Sequence, residues 1–132
     1  MGAPGAEGAA AAASYFISLY PYVFATGDLS EWDALSEADC KYCQNVRASV
    51  EDQLARGVRG EGSEITVITA DGTEIAHGDA YAADLEITQA PSFEVTSDGT
   101  RVPDGDGGRF RLHLALWWRD GWLVRAVDAT RV

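Results

Sequence analysis

The sequence predicts a single α+β domain in which three N-terminal helices pack on one strongly curved antiparallel sheet. Apolar residues recur at helical spacing up to about residue 56, and they alternate with polar residues after Ser63. Asp-Gly dipeptides, the preferred turns of tight hairpins, separate the alternating runs. Because helices come first and hairpin-linked strands follow, we expect an antiparallel sheet with the helices on one face.

Three helices are predicted over residues 9–26, 29–35 and 39–56. Pro21 is expected to kink the first helix or force a local adjustment. Gly27 suits a left-handed end to that helix, and Asp28 can cap the next one. Strands are predicted over residues 65–69, 73–88, 93–95, 110–118 and 122–126. Hairpin turns are expected at Asp71-Gly72 and Asp120-Gly121, and loops at 59–62 and within 97–108. Asp98-Gly99 leaves a small extra hairpin open within the second loop.

Length and charge limit the class of protein. The chain has 132 residues, which suits one domain, and 46% of them are hydrophobic, which fits a folded core. The formal net charge of −11 argues against a nucleic-acid partner, because phosphate binding requires clustered Lys and Arg. It also argues against adhesion to an anionic membrane surface. No apolar run reaches the roughly 20 residues that a transmembrane helix requires.

The Ala- and Gly-rich start of the chain indicates a linker. Residues 1–8 are predicted to be flexible, and residues 9–132 to form the domain. No charged segment followed by an apolar core, as in a signal peptide, is present at the start. A natural cytosolic start is one interpretation. The one that we prefer is that an export signal and part of a linker have been removed. The protein is then extracytoplasmic, either secreted or held at a membrane only through a lipid anchor outside this sequence.

The order of elements resembles the nuclear-transport-factor-like superfamily, a cystatin-like cone that includes ketosteroid isomerase. The resemblance covers residues 9–132. It lies in the TGD end of the first helix (26–28), the short helix around Trp32 and the terminal WRDGW hairpin (118–122). The segment YVFATGD (22–28) followed by CKYC (40–43) is similar to a family of secreted bacterial lipoproteins with no established activity. The resemblance implies a fold and a compartment but no reaction, and no catalytic residue is transferred from it.

Cys40 and Cys43 are the only cysteines, and they form a C-x-x-C motif at the start of the third predicted helix. Residues three apart in a first helical turn lie close enough for a disulfide. A structural disulfide is our main interpretation, since such bonds belong to exported proteins. One alternative is a thiol–disulfide catalyst, but the strand that precedes the helix in thioredoxin-like redox sites is missing. The other alternative is half of a zinc site, but no second pair of ligands is present.

The strand predicted over 73–88 suggests a candidate site. One of its faces is the more apolar, and it also holds a polar row of His77, Asp79 and Tyr81. We expect this face to point into the cone, where a His beside a carboxylate forms a plausible acid–base pair. The alternative is a structural hydrogen-bond network, or a bulge that turns Asp79 to solvent.

The opposite face of the predicted sheet mixes Arg with Trp. Its candidate interface residues are Arg111, His113 and Trp117 on one strand and Arg125 on the next. This composition favours a protein–protein surface, and the family resemblance implies homodimerisation through the sheet. The alternative is a solvated face on which Arg side chains cover Trp.

We expect neither a cofactor nor a metal. Residues 104–108 are similar to a calcium loop but lack its bidentate Glu, so they are interpreted as a turn. The leading hypothesis is a non-enzymatic domain that binds a small apolar ligand or a protein partner. Phe16, Tyr20 and Trp32 would join the polar row in contacting the ligand. The alternative is an isomerase or dehydratase that uses His77 and Asp79. If the interior proved to be fully packed, only the hypothesis of a domain that binds a protein partner would remain.

Overall fold

A computed structural model describes residues 1–132 as three helices followed by seven strands. The helices are α1 (Ala6–Thr26), α2 (Ser30–Leu35) and α3 (Lys41–Ala55). The strands are β1 (Arg59–Gly62), β2 (Ile65–Ala76), β3 (Ala80–Gln89), β4 (Ser92–Val95), β5 (Arg101–Gly105), β6 (Gly108–Trp118) and β7 (Trp122–Arg131). All strand pairs are antiparallel. The predicted α+β class is confirmed. None of the helices combines the length and apolar character needed to cross a membrane.

The strands form two ladders that are halves of one curled sheet. Four strands pair in the order β2-β3-β6-β7, and three pair in the order β1-β4-β5. Because β1 leads into β2, β3 into β4 and β5 into β6, the shorter ladder continues the longer one across a bend. Backbone hydrogen bonds from Ser63 to the carbonyl of Pro91 (3.0 Å) and from Ala90 to the carbonyl of Glu64 (2.9 Å) hold the bend.

Two glycines allow this bend. Gly62 and Gly107 have φ angles of 84° and 73°, in the left-handed region that glycine adopts readily. A Cβ atom on Gly62 would lie 2.3 Å from the carbonyl oxygen of Pro91, and one on Gly107 would lie 2.4 Å from that of Gln89. The neighbouring strands therefore approach too closely at the bend for a larger residue.

The core lies between α1 and the inner face of the four-stranded ladder. α1 continues through Pro21 and ends at Gly27, whose φ of 75° is left-handed as expected. Phe16 is fully buried and stacks on Trp32, with ring centroids 4.1 Å apart. The indole N–H of Trp32 donates to the carbonyl of Cys43 at 3.1 Å, which ties α2 to α3.

Three predicted features of the sheet are wrong. Asp71-Gly72 is not a turn, because β2 continues through it and the β2–β3 turn comes after Ala76. Gly72 serves a close contact instead: a Cβ atom there would lie 1.9 Å from the carbonyl oxygen of Ala6 in α1. The predicted loop at 59–62 is β1, and the predicted loop within 97–108 contains β5, which pairs with β4 through a turn at Asp98-Gly99, the extra hairpin that the sequence left undecided. The predicted turn at Asp120-Gly121 does join β6 to β7.

The N-terminal segment is more ordered than a linker boundary at residue 8 suggests. α1 begins at Ala6. A Cβ atom on Gly8 would lie 3.1 Å from the Trp122 ring, so the first turn of the helix packs directly on the sheet. The division at residue 8 remains a prediction about chain organisation.

Cys40 and Cys43 form a disulfide, as the main interpretation of the motif predicted. Both residues are buried in the core. The Cys40 sulfur also accepts a hydrogen bond from the Cys43 N–H at 3.2 Å, so the bonded pair caps the start of α3. The disulfide therefore fixes the entry of the chain into the helix.

We expect the double variant Cys40→Ala/Cys43→Ala to fold with reduced stability. A disulfide that closes so short a loop constrains the unfolded chain by about 2 kcal/mol in the loop-entropy description. Urea unfolding at neutral pH should show a decrease of that order in the free energy of unfolding. The reduced wild-type protein serves as the control and should match the variant, whereas an unchanged unfolding midpoint would contradict a stabilising role.

Candidate functional site

A cavity of about 300 Å³ opens between α1, α3 and the inner face of the sheet. We call it the cone cavity. Its hydrophobic lining is Ile17, Tyr20, Phe24, Tyr42, Val46, Ile65, Ile87, Phe110, Leu112 and Ala129. The strand register explains part of this lining, because Ile87 pairs with Phe110 across β3 and β6 and both face inward. The volume is at the lower end of the range of small-molecule sites.

The polar groups of the cone cavity are neutral. Asn45, Ser49 and Gln89 join the hydroxyl groups of Tyr20 and Tyr42 in its lining. Burial raises the pKa of Tyr42 far above its usual range. Burial, and then the charge of Asp104, raise the pKa of Tyr20. Both phenols therefore remain protonated at neutral pH and can donate hydrogen bonds. The lining contains no His, Lys, Arg or carboxylate, so the cavity suits a mainly apolar molecule.

The predicted row of His77, Asp79 and Tyr81 is not brought together in this cavity. His77 lies in the β2–β3 turn with its side chain 98% exposed, and its ring nitrogen Nδ1 is 3.4 Å from Glu74. Asp79 is exposed at the end of the same turn and pairs with Arg119. The assignment of these residues to one inward-facing strand was wrong, because the hairpin reverses direction at them.

Tyr81 does face inward, but it lies at the closed end of the cone, away from the cavity lining. It is 2% exposed and packs edge-on against Trp122, with ring centroids 5.0 Å apart. Its hydroxyl donates to Glu74 at 3.1 Å, and the N–H of Gly78 donates to the same carboxylate oxygen at 3.1 Å. These bonds lower the pKa of Glu74 and brace the hairpin. Tyr81, Glu74 and Gly78 therefore form a structural hydrogen-bond network, which is the alternative interpretation that the sequence left open.

The three aromatic residues expected to contact a ligand have different positions. Tyr20 lines the cone cavity. Phe16 and Trp32 are fully buried against each other in the core and do not line it. Sequence reasoning missed Tyr42, Asn45 and Ser49 of α3. These residues and Val46 lie three or four positions apart and so share one face of α3, and this spacing was the signal that a second helix lines the cavity.

The outer face of the sheet carries all four candidate interface residues. Arg111 and His113 are exposed, and the His113 ring nitrogen Nδ1 is 2.7 Å from Asp84 on β3. Arg125 lies over the ring of Trp117, with 4.2 Å between the guanidinium carbon and the ring centroid. The Trp117 indole donates to Glu37 at 3.0 Å. The structure therefore collects these residues on one face and partly covers Trp117 with Arg.

A charged group borders the open end of the cone. Arg56 of α3 donates to Glu94 of β4 at 2.8 Å and to Asp52 at 2.9 Å. The hydrogen bond from Arg56 is the main cause of the lowered pKa of Glu94. This contact joins α3 to the three-stranded ladder and so fixes the wall of the cone next to the cavity. No group of three or more His, Cys, Asp or Glu converges in a way that would hold a metal ion.

We expect Glu94→Gln to reduce the free energy of unfolding at neutral pH. The pKa of Glu94 in the folded protein lies below its ordinary value of 4.5, so its ion pair stabilises the fold above that pH. The stabilisation is lost as the pH falls through the folded pKa. The difference between wild type and variant should therefore shrink below pH 4.5.

Urea unfolding between neutral and acidic pH measures this difference. Glu64→Gln removes the same charge from an exposed residue with no ion pair, and it serves as the control. A Glu94→Gln penalty that is independent of pH would show that the ion pair is not its source.

The fold and cavity define the class of the protein: an α+β cone of the cystatin-like and nuclear-transport-factor-like type. Among solved structures, the intermembrane-space region of the chloroplast protein ARC6 matches with a TM-score of 0.73 and 10% identity, covering 98% of each chain. An uncharacterized protein with a cystatin-like fold from Caulobacter vibrioides matches with a TM-score of 0.56 and 18% identity, covering 94% of this chain and 89% of that one. ActVI-ORFA from Streptomyces coelicolor matches with a TM-score of 0.55 and 15% identity, covering 92% of this chain and 95% of that one. At these identities the likeness concerns the fold alone.

The chain belongs to the family of unknown function DUF6318, whose family model matches residues 1–127. A search of curated proteins found no significant match. The predicted cystatin-like fold and the predicted membership of a family without established activity are confirmed.

Proposed function

We propose that this domain binds a small, mainly apolar ligand in the cone cavity. The cavity itself is the observation that supports the proposal: an open cleft of about 300 Å³ with mostly apolar walls has the size and lining of a small-molecule site. The neutral hydrogen-bonding groups of Tyr42, Asn45 and Gln89 would orient the ligand. The alternative, an isomerase or dehydratase that uses His77 and Asp79, lacks support from the geometry because both residues lie outside this cavity.

We further propose that the domain acts outside the cytoplasm. The Cys40–Cys43 disulfide supports this compartment, because reducing conditions in the cytosol disfavour such bonds. The ARC6 region of similar fold is described as an intermembrane-space region, a compartment that is likewise outside the cytosol.

Ala129→Phe should abolish or strongly weaken binding, because Ala129 lines the cone cavity and a phenyl ring there occupies ligand space. N-phenyl-1-naphthylamine, a neutral apolar fluorophore, is the probe, and its fluorescence rises on entering an apolar site. We expect the affinity to fall at least about tenfold, which corresponds to about 1.4 kcal/mol of lost contact.

Ala126→Phe is the matched control, since it places the same ring on the same strand but on the outer face. Ala126 pairs with Ala115 and is exposed. This variant should bind like wild type, and thermal unfolding should show both variants folded. Equal binding by wild type and Ala129→Phe would reject the cone cavity as the site.

A second candidate function, homodimerisation through the outer face of the sheet, is favoured by the environment of Trp117. Arg119 and Arg125 both lie over its ring, at 4.4 and 4.2 Å from the centroid. Trp and Arg are the residues that most often dominate binding at protein interfaces. Arg111 and His113 extend the same face, and Asp84 beside His113 supplies the opposite charge that a second copy would need.

Arg125→Glu should weaken this dimer, because it replaces one of the two cations over Trp117 with a negative charge, which the Asp84 carboxylate of a second copy would repel. Analytical ultracentrifugation over a micromolar concentration series should show the dissociation constant rising about tenfold, the usual effect of losing one interface contact of 1–2 kcal/mol. Lys41→Glu makes the same charge reversal on α3 and should have no effect. A wild-type protein that remains monomeric throughout the series would overturn the proposal.

A further inference from the structure

A small chamber adjoins the cone cavity at its open end. It has a volume of about 30 Å³, and its lining includes Tyr20, Phe24, Gln53, Ser63, Ser92 and Asp104. We call it the polar chamber. Tyr20 and Phe24 line both the polar chamber and the cone cavity, so the same two side chains border both spaces. The chamber has room for one group the size of a water molecule.

Gln53, which lines the polar chamber, holds a buried acceptor that has no donor. Gln53 is 6% exposed, and its side-chain Nε2 donates to the Glu94 carboxylate at 3.3 Å. A carboxylate of lowered pKa can only accept, so this bond fixes the orientation of the amide. The other amide atom, Oε1, is buried without a hydrogen-bond partner. A buried acceptor in this state costs free energy that a donor from a ligand would recover.

The charge around the chamber is negative. Arg56 is engaged by Glu94 and Asp52, and Arg101 by Glu61 at 2.7 Å. Asp104 of β5 makes no hydrogen bond or ion pair, although its charge contributes to the raised pKa of Tyr20. Asp104 is therefore an available counter-ion at the chamber.

The aromatic rings at the junction of the two spaces also favour a cation. The centroids of Tyr20 and Phe24 are 4.9 Å apart with their planes tilted by 52°, so two aromatic rings border the chamber. Aromatic faces attract ammonium groups, most strongly where water is excluded. The net charge of −11 adds a long-range attraction for cationic ligands.

We propose that the ligand of the cone cavity is an organic amine whose ammonium group occupies the polar chamber and whose apolar body fills the cone cavity. The ammonium N–H groups donate to Gln53 Oε1 and to the Asp104 carboxylate, and the Tyr20 ring flanks the charge. This inference rests on the proposed function, because it assigns a chemical class to the ligand of the same cavity. A carboxylate ligand would be repelled there, and a neutral alcohol would offer only one donor.

Three probes with the same body and different charge test this proposal. They are 4-phenylbutylamine, 4-phenylbutan-1-ol and 4-phenylbutyrate, which at neutral pH are cationic, neutral and anionic. Isothermal titration calorimetry should rank the affinities in that order. Asp104→Asn should weaken the amine about tenfold, the size of one charge-assisted hydrogen bond, and leave the alcohol unchanged. Because Asp104 is exposed and unpaired, this variant should fold normally.

Asp128→Asn is the matched control, since it removes the same charge from the outer face of the sheet, where Asp128 pairs with His113. It should change amine affinity by less than about twofold, because a distant exposed charge is largely screened by salt. The assignment of the ligand as an amine would be overturned if the alcohol bound as tightly as the amine, or if Asp104→Asn kept full affinity for the amine. Either result would leave the cavity as a binding site. Binding by none of the three probes would overturn both proposals together.

Discussion

The structure depends on the sharp bend that divides the sheet into two ladders. A flat continuation of β1 into β2 and of β3 into β4 would leave the three-stranded ladder in the plane of the other strands. The bend at Gly62-Ser63, Pro91 and Gly107 instead turns this ladder toward α1 and α3. The strands approach so closely at the bend that a Cβ atom on either glycine would contact a carbonyl oxygen. The polar chamber exists because this turn brings the shorter ladder beside the helices, and it lies next to the cone cavity between the helices and the longer ladder.

The two ends of the cone differ because α1 is close to the sheet at one end and held away at the other. Near its start, the carbonyl of Ala6 lies against Gly72, and Gly8 faces Trp122, so the helix touches the strands directly. Tyr81, Trp118 and Trp122 fill this end with edge-to-face aromatic packing. Toward its C-terminus the helix presents Tyr20 and Phe24, whose bulk holds the walls apart, and the open space lies there. Small residues thus close one end, and large aromatic residues keep the other open.

The candidate site was predicted only in part, for reasons that particular residues make clear. The alternation on β3 correctly placed Tyr81 inside, because a period of two is a local property of a strand. The alternation could not show that His77 and Asp79 belong to a turn, since Asp71-Gly72 offered a stronger local turn signal nearby. That glycine is required by a contact with α1, far away in sequence. Asp104 and Gln53, from β5 and α3, meet only through the bend and gave no joint signal.

By itself the sequence determined the α+β class, the order of helices before strands and the end of α1 at Gly27, and it favoured the disulfide between Cys40 and Cys43. Each depends on residues within one or two turns of chain, where backbone preferences and side-chain periodicity decide the outcome. Only the tertiary structure decided where the sheet bends and which polar residues border the cavity. It also showed that a buried amide oxygen is left without a donor. These features arise where distant segments approach, and steric fit between them overrides local preference.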